Sequence, residues 1–409
     1  MNTQITRRKF ATLATSTLAL PYLSRAAFAA GDAIKIGMIA PTEGQALKDG
    51  REYTKGLETA IQHVNETGGI LGGRPVEMVF ASQGTTGETA RSAALKLAQR
   101  EGVHALVGPH WADTAPAGLS VAQRYNLPFA PDQGGMWLYD QGYPGTLGLS
   151  CNARARTMPQ LRWLEEKGIE SVVMLMVDID YNRDVEKLVR ERWERADSPV
   201  KLLDIIYYPW GSTQLDTELT KAVGQSPDFI WAEEWSAQVA ASMLKKLNDL
   251  NYSGEVSVTA DLTQDDVDNM PTELTEGVYS KMDWAPDASV PANAAFLDLW
   301  TAKYGEGAQP WRSAEVIYAQ SVFLMRAMDL AGTEGNGRPD GLEAISKAMR
   351  ELEWVAPTGD AVVLSDRGLG ILPRTPLVQV RGGKIEIDKY LDMTPNDWLA
   401  ELPDDWAKL

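Results

Sequence analysis

Short, almost wholly apolar runs alternate with longer segments in which apolar residues recur every three or four positions, and this alternation organises most of the chain. Residues 34–40 (IKIGMIA) read as a buried strand that leads into a loop carrying Pro41, Gly44 and Gly50. Tyr53, Leu57, Ala60, Ile61 and Val64 then recur at helical spacing over 48–67, with Glu58 and Glu66 on the other face. Strands over 76–80, 103–108 and 127–130 follow, separated by helices over 88–101 and 114–125. The pattern restarts near Arg156, with helices over 156–167, 183–196, 214–225 and 237–250 between strands over 171–177, 201–206 and 228–232. Strand and helix in turn build parallel sheets covered on both faces, so the expected class is α/β with two units of similar size. Past Asp283 come helices over 292–304, 313–331 and 340–352, then hairpin-like segments at 361–364 and 377–387, the second turned at Gly382-Gly383. No internal repeat or low-complexity linker divides the units, so several short crossings should join them.

Composition narrows the function classes. The chain has 409 residues, 44% hydrophobic and 23% charged, and a formal charge of −17, which offers no basic surface to nucleic acid. A single cysteine, Cys151, provides neither an internal disulfide nor a thiolate cluster, and three histidines, His63, His104 and His110, leave little for a triad or a multi-histidine metal site. No Gly-x-Ser-x-Gly elbow and no acid–base pair of diagnostic spacing occur. The chain reads as no enzyme and as requiring no cofactor or metal.

The first residues read as an address. Thr6-Arg7-Arg8-Lys9-Phe10, an apolar run over 11–23 and Ala27-Phe28-Ala29 have the order of a twin-arginine signal peptide spanning 1–29. Its removal takes four cations and no acid, so the formal charge moves from −17 to −21. The apolar helix at 313–331 carries Glu315, Arg326 and Asp329 and reads as a buried helix rather than a membrane span, so no stable membrane insertion is expected.

The glycine cluster at 68–73 follows a helix and precedes a strand, which suits a helix stop and turn better than a phosphate loop. Asp261, Asp265, Asp266 and Asp268 lack the spacing of a calcium loop and read as an acidic helix start. Tryptophan is over-represented, 13 against 7 phenylalanines. Trp163, Trp193 and Trp300 fall in helices as core candidates, whereas Trp111, Trp137, Trp210, Trp235, Trp284 and Trp311 fall at strand ends or loops, where open parallel sheets bind ligands.

The segment at 60–77 (AIQHVNETGGILGGRPVE), with Ile34-Lys35-Ile36-Gly37 before it and Ala105-Leu106-Val107-Gly108-Pro109, Leu127-Pro128-Phe129-Ala130-Pro131, Pro227-Asp228-Phe229-Ile230 and Pro357-Thr358-Gly359 after it, resembles the leucine/isoleucine/valine-binding protein family. These are type I periplasmic solute-binding proteins of ABC importers. The resemblance implies a two-lobed fold, each lobe a mostly parallel sheet flanked by helices, with three interlobe crossovers and a ligand in the cleft. It places the first lobe at 31–152 plus 283–356 and the second at 153–282 plus 357–409. It further implies a periplasmic monomer that hands a small-molecule solute to an inner-membrane ABC permease and its ATPase.

Carried over by position, the family's ligand contacts fall on Trp111, Ala112, Asp113 and Thr114, on Asp132, Gln133 and Gly134, and on Tyr181, Trp235 and Asp261 of the second lobe. The hydroxyls that hold an amino-acid carboxylate in the family are replaced here by Trp111 or Ala112 and by Gly134. With Asp113, Asp132, Glu233, Glu234 and Asp261 nearby, an amine-bearing solute is expected. Alternatives remain open: Arg154, Arg156 and Arg183 could instead recruit an acid such as an aromatic carboxylate, Glu233 and Glu234 could cap a helix, and the protein could be a periplasmic ligand sensor of the same fold.

Overall fold

The computed structural model describes residues 32–394 except 45–46, 111–113, 151, 235, 260–261, 334–340 and 372. The first lobe opens with β1 (Ile34–Ala40), α1 (Leu47–Glu66), β2 (Val76–Ser82), α2 (Gly87–Leu95, continued by a wider helical turn Lys96–Glu101), β3 (Ala105–His110), α3 (Ala115–Tyr125), β4 (Phe129–Asp132) and the short α4 (Met136–Tyr139). Its strands lie in the order β2-β1-β3-β4, all parallel. β1 is buried on both faces. Ile34, Ile36 and Met38 pack towards one core with Leu57 and Val64, while Ile39 enters the other with Leu97, Leu106 and Phe129.

The chain then crosses to the second lobe, made of α5 (Ala153–Lys167), β5 (Ser171–Val177), α6 (Asp180–Trp193), β6 (Lys201–Tyr208), α7 (Asp216–Val223), β7 (Phe229–Glu233), α8 (Ala237–Asp249), β8 (Glu255–Val258), α9 (Gln264–Asp268), α10 (Thr272–Thr275) and β9 (Tyr279–Lys281). β8 and β9 were not foreseen: they are four and three residues long, too short to carry a period, and β9 holds a lysine. After a second crossing the chain returns to the first lobe as α11 (Pro291–Tyr304), α12 (Arg312–Ala331) and α13 (Leu342–Glu351), followed by the two-residue strands β10 (Val363–Leu364) and β11 (Gly370–Ile371). A third crossing leads to the hairpin β12 (Arg374–Arg381) and β13 (Lys384–Asp392), which completes the second sheet in the order β13-β12-β9-β8-β7-β5-β6.

Residues 361–371, expected in the second lobe, belong with the first. Leu364, Leu369 and Ile371 are buried in its two cores, and Leu369 bridges Gly148. The chain therefore stays with the first lobe as far as Ile371, well past the expected boundary at 357, and joins the second sheet from Arg374.

α12 is buried along nearly its whole length, as its apolar sequence suggested, and its Gln320 amide donates to the Ala130 carbonyl at 3.0 Å. α1 meets it at Gly56, where a Cβ would run into the Ala314 carbonyl, so only glycine allows the two helices this approach. Trp163, Trp193 and Trp300 are core residues as expected, and Trp284, grouped with the loop and strand-end tryptophans, is also buried and packs edge-on to Phe296. Glycines 68, 69, 72 and 73 all have positive φ and form the turn between α1 and β2. Among the described residues no helix is long and apolar enough to cross a membrane.

Candidate functional site

β3 runs two residues further than its apolar run suggested and ends on His110. The buried Gln83 side chain clamps the backbone there, accepting from the His110 N–H at 2.9 Å and donating to its carbonyl at 3.0 Å. Thr114, the residue preceding α3, is fully buried and its hydroxyl donates to the same carbonyl. Trp111, Ala112 and Asp113 lie outside the described residues; His110 before them and Thr114 after them are held by these bonds.

Asp132, at the end of β4, is 4% exposed and already well supplied with partners. It accepts from Tyr53 Oη at 2.8 Å and from Ser150, with Arg312 Nη1 at 3.6 Å and His110 Nδ1 at 3.8 Å. Burial opposes its ionisation, but Arg312, His110 and the two hydroxyl donors outweigh burial and hold the carboxyl at about 2. Tyr53 Oη spends its proton on Asp132, so the His110 Nδ1 that lies 2.7 Å away donates to it. Gln133 and Gly134 follow at half-buried positions; the Gln133 side chain accepts from Gly135 N–H at 2.9 Å and its carbonyl from Tyr139 Oη at 2.7 Å.

Asp132 is one pole of a buried cluster at the crossings. The other is Asp283, 1% exposed, in the second crossing. Arg156 from the first turn of α5 grips both its oxygens, through Nε at 2.7 Å and through Nη2, and Arg312 Nη1 stands 3.5 Å away. Arg312 therefore spans Asp132 and Asp283. Glu315, one turn along α12, is 3% exposed and has one oxygen without a hydrogen bond. Beside it lies a small, partly open cavity lined by Leu149, Asp283, Glu315, Ala319, Thr358 and Ile371.

In the second lobe, Tyr181 occupies the first turn of α6, which begins earlier than expected. Asn182 anchors that turn by donating to the Val177 carbonyl at 2.8 Å and to that of Glu233 at 3.4 Å, so Tyr181 is held at the carboxyl ends of β5 and β7. Glu233 accepts from the Trp231 indole at 2.7 Å. Glu234 accepts from Tyr208 Oη at 2.6 Å and from the N–H of Ser236, the N-cap of α8, at 2.7 Å, which is the capping alternative. Of the arginines that could have recruited an acid, Arg156 is committed to Asp283. Arg183 is exposed, paired with Asp178 at 2.6 Å and lying over the Tyr207 ring at 3.6 Å. Trp235 and Asp261 lie outside the described residues.

Away from the crossings, the lobes also meet directly at Lys48. Lys48, in the first turn of α1, pairs with Asp266 of α9 at 2.9 Å and sits 4.5 Å from the centre of the Trp311 ring. Asp266 also accepts from Thr263 in a capping box, so the acidic stretch is a helix start as expected, with an interlobe partner that local sequence did not reveal. α1 follows β1 and α9 follows β8. This pair therefore sets the carboxyl ends of the parallel strands of the two sheets opposite each other.

Sequence reasoning missed Tyr53, Ser150, Asp283 and Arg312 as site neighbours. The available signal was an arginine and a glutamate three residues apart at the head of an otherwise apolar helix, since a buried helix keeps such charges only with partners.

The two-lobed fold recurs in solved structures. A solute-binding protein of an ABC transporter from R. palustris, in complex with 4-hydroxybenzoate, superposes with a TM-score of 0.79 at 19% identity, covering 91% of this chain and 100% of that one. A leucine binding protein from Thermotoga maritima MSB8 gives 0.75 at 19% identity, covering 89% and 99%. The branched-chain amino acid transporter substrate binding protein from Streptococcus pneumoniae, in complex with isoleucine, gives 0.75 at 20% identity, covering 89% and 100%. By sequence, the Leu/Ile/Val-binding protein homolog 6 of Brucella melitensis biotype 1 is 23% identical over 349 residues, 83% of this chain and 86% of that protein. The match to the family described as periplasmic binding protein runs over residues 33–384, through both lobes and all three crossings, and the chain belongs to that family.

Proposed function

We propose that the protein is the solute-binding component of a branched-chain-amino-acid-type ABC importer, capturing one small solute in the cleft and delivering it to an inner-membrane permease and its ATPase. The observation that carries this reading is the Lys48–Asp266 contact, which opposes the carboxyl edges of two sheets otherwise joined by three crossings. Such a body closes by hinge motion and buries its ligand between the lobes. The solute contacts are Trp111, Ala112, Asp113 and Thr114, Gln133 and Gly134, and Tyr181, Trp235 and Asp261, with Asp132 holding their frame from behind.

The favoured solute is amino-acid-like, an amide or an amine. Glu233, Glu234 and Asp132 are each engaged by donors within the protein, so attraction for a cation falls to Asp113 and Asp261. The 4-hydroxybenzoate complex of a relative in fold supports a second reading, an aromatic carboxylic acid. A thermal-shift screen over amino acids, amides, amines and aromatic acids decides between them. A true ligand should stabilise by about 2.7 kcal/mol at a hundredfold excess over Kd. Trp111→Ala should weaken its binding at least tenfold, about 1.4 kcal/mol, measured by calorimetry. Wild-type affinity in that variant removes the loop after β3 from the site.

Export to the periplasm is proposed to use residues 1–29 as a twin-arginine signal. Changing Arg7 and Arg8 together to Lys should leave the precursor in the cytoplasm, read by fractionation and immunoblot. Undiminished periplasmic accumulation would refute the route.

A further inference from the structure

The cavity beside Glu315 touches every connection between the lobes. Leu149 leads into the first crossing, Asp283 lies in the second and Ile371 opens the third, while Glu315, Val316 and Ala319 of α12 form the first-lobe wall. Into this space points a carboxyl group 3% exposed, with one oxygen that receives no hydrogen bond. A buried oxygen in such surroundings needs a proton of its own or a donor brought in by water.

The charges around Glu315 do not supply a counter-ion. Asp283 and Asp132 face it and repel a negative charge there. Arg312 attracts one but is drawn to those same two aspartates at 3.5 and 3.6 Å. Arg156 is gripped by Asp283, and His110 and Tyr53 attend Asp132. Tyr318, on the same helix, is bonded to His63 at 2.6 Å.

We propose that Glu315 is a proton-binding site in the hinge, whose occupancy lets the three crossings close around it and whose loss draws water into the cavity and opens the lobes. Burial together with the Asp283 and Asp132 charges pushes this carboxyl up to about 8, which sets the transition in the mildly alkaline range. The proposal rests on the lobe-closure reading given above and adds a second ligand, the proton, at a separate place.

Pulsed electron paramagnetic resonance on the full chain tests it. Spin labels at Arg91→Cys on α2 and Thr217→Cys on α7, with Cys151→Ala, report the lobe-to-lobe distance. Between about pH 7 and about pH 9 the closed-to-open ratio should fall about fivefold, most of the tenfold limit set by a one-unit difference in the Glu315 pKa between the two states. Glu315→Gln should hold the ratio within about twofold over the same range, and Glu315→Asp should keep the response with a shifted midpoint. An equal pH response in wild type and Glu315→Gln, or no response in wild type, overturns the proposal. If the distance responds to a solute found in the thermal screen but not to pH, only the proton linkage falls. If it responds to neither, the closure reading falls with it.

Discussion

Asp283→Asn is expected to destabilise the fold by about 3–5 kcal/mol, the cost of stripping one partner from a buried ion pair. The Arg156 guanidinium uses both Nε and Nη2 on this carboxylate, and both side chains are almost wholly buried, so no water replaces the lost charge. Arg312 loses one of its two aspartates at the same time. The midpoint of urea unfolding should fall with little change in slope. Arg156→Met combined with Asp283→Asn should recover a large part of the loss, because the penalty comes from a stranded charge more than from a missing attraction. A single variant as stable as wild type would mean that the cluster is hydrated and contributes no structural constraint.

Glu315→Gln should act in the opposite sense and in a pH-dependent way. The unfolded carboxyl titrates near 4.5, whereas in the folded protein burial and the neighbouring aspartates push it to about 8. Between these values the folded chain keeps a proton that the unfolded chain has released, so stability falls as pH rises through the window. The deficit is complete above about 8 and on the order of 5 kcal/mol. Glutamine is neutral at every pH and escapes it. The two proteins should unfold at similar temperatures near pH 4, and the variant should gain progressively up to about pH 8. A difference that stays constant across this range would show that Glu315 is ionised and satisfied in the folded state.

What could be read from sequence was what local pattern encodes. The run at 171–177 is buried on both faces and reads as a central strand at once, and α12 reads as buried from its apolar length. β8 and β9 escaped because they are held by neighbours rather than by their own periodicity. The hinge cluster escaped for a stronger reason: Arg156 and Asp283 are 127 residues apart, and only the return of the chain brings them together. Asp266 shows both sides of this. Its place in an acidic helix start is local and was legible, but its pairing with Lys48, 218 residues distant, was not. At the carboxyl end of β7, an acidic pair suggested a cation site, and the tie from Glu234 to Ser236 shows how the same spacing serves a helix cap.

The order in which the first lobe is made has a consequence for synthesis. The four strands of its sheet are complete by Asp132, yet the apolar face around Ile36, Leu57 and Val64 is covered by Ile317, Val322 and Phe323, which emerge only after the chain has passed through β5–β9 of the second lobe. A ribosome that has made the second lobe as far as β9 therefore still holds two half-built lobes, the first with a bare flank and the second without its closing hairpin. Any transcript or protease cut that removes α12 leaves that flank exposed for good, a species prone to aggregate rather than a smaller working domain. Quality control over this chain is thus decided near its end, and the two lobes cannot be inherited, expressed or evolved as separable pieces without rerouting the connections between them.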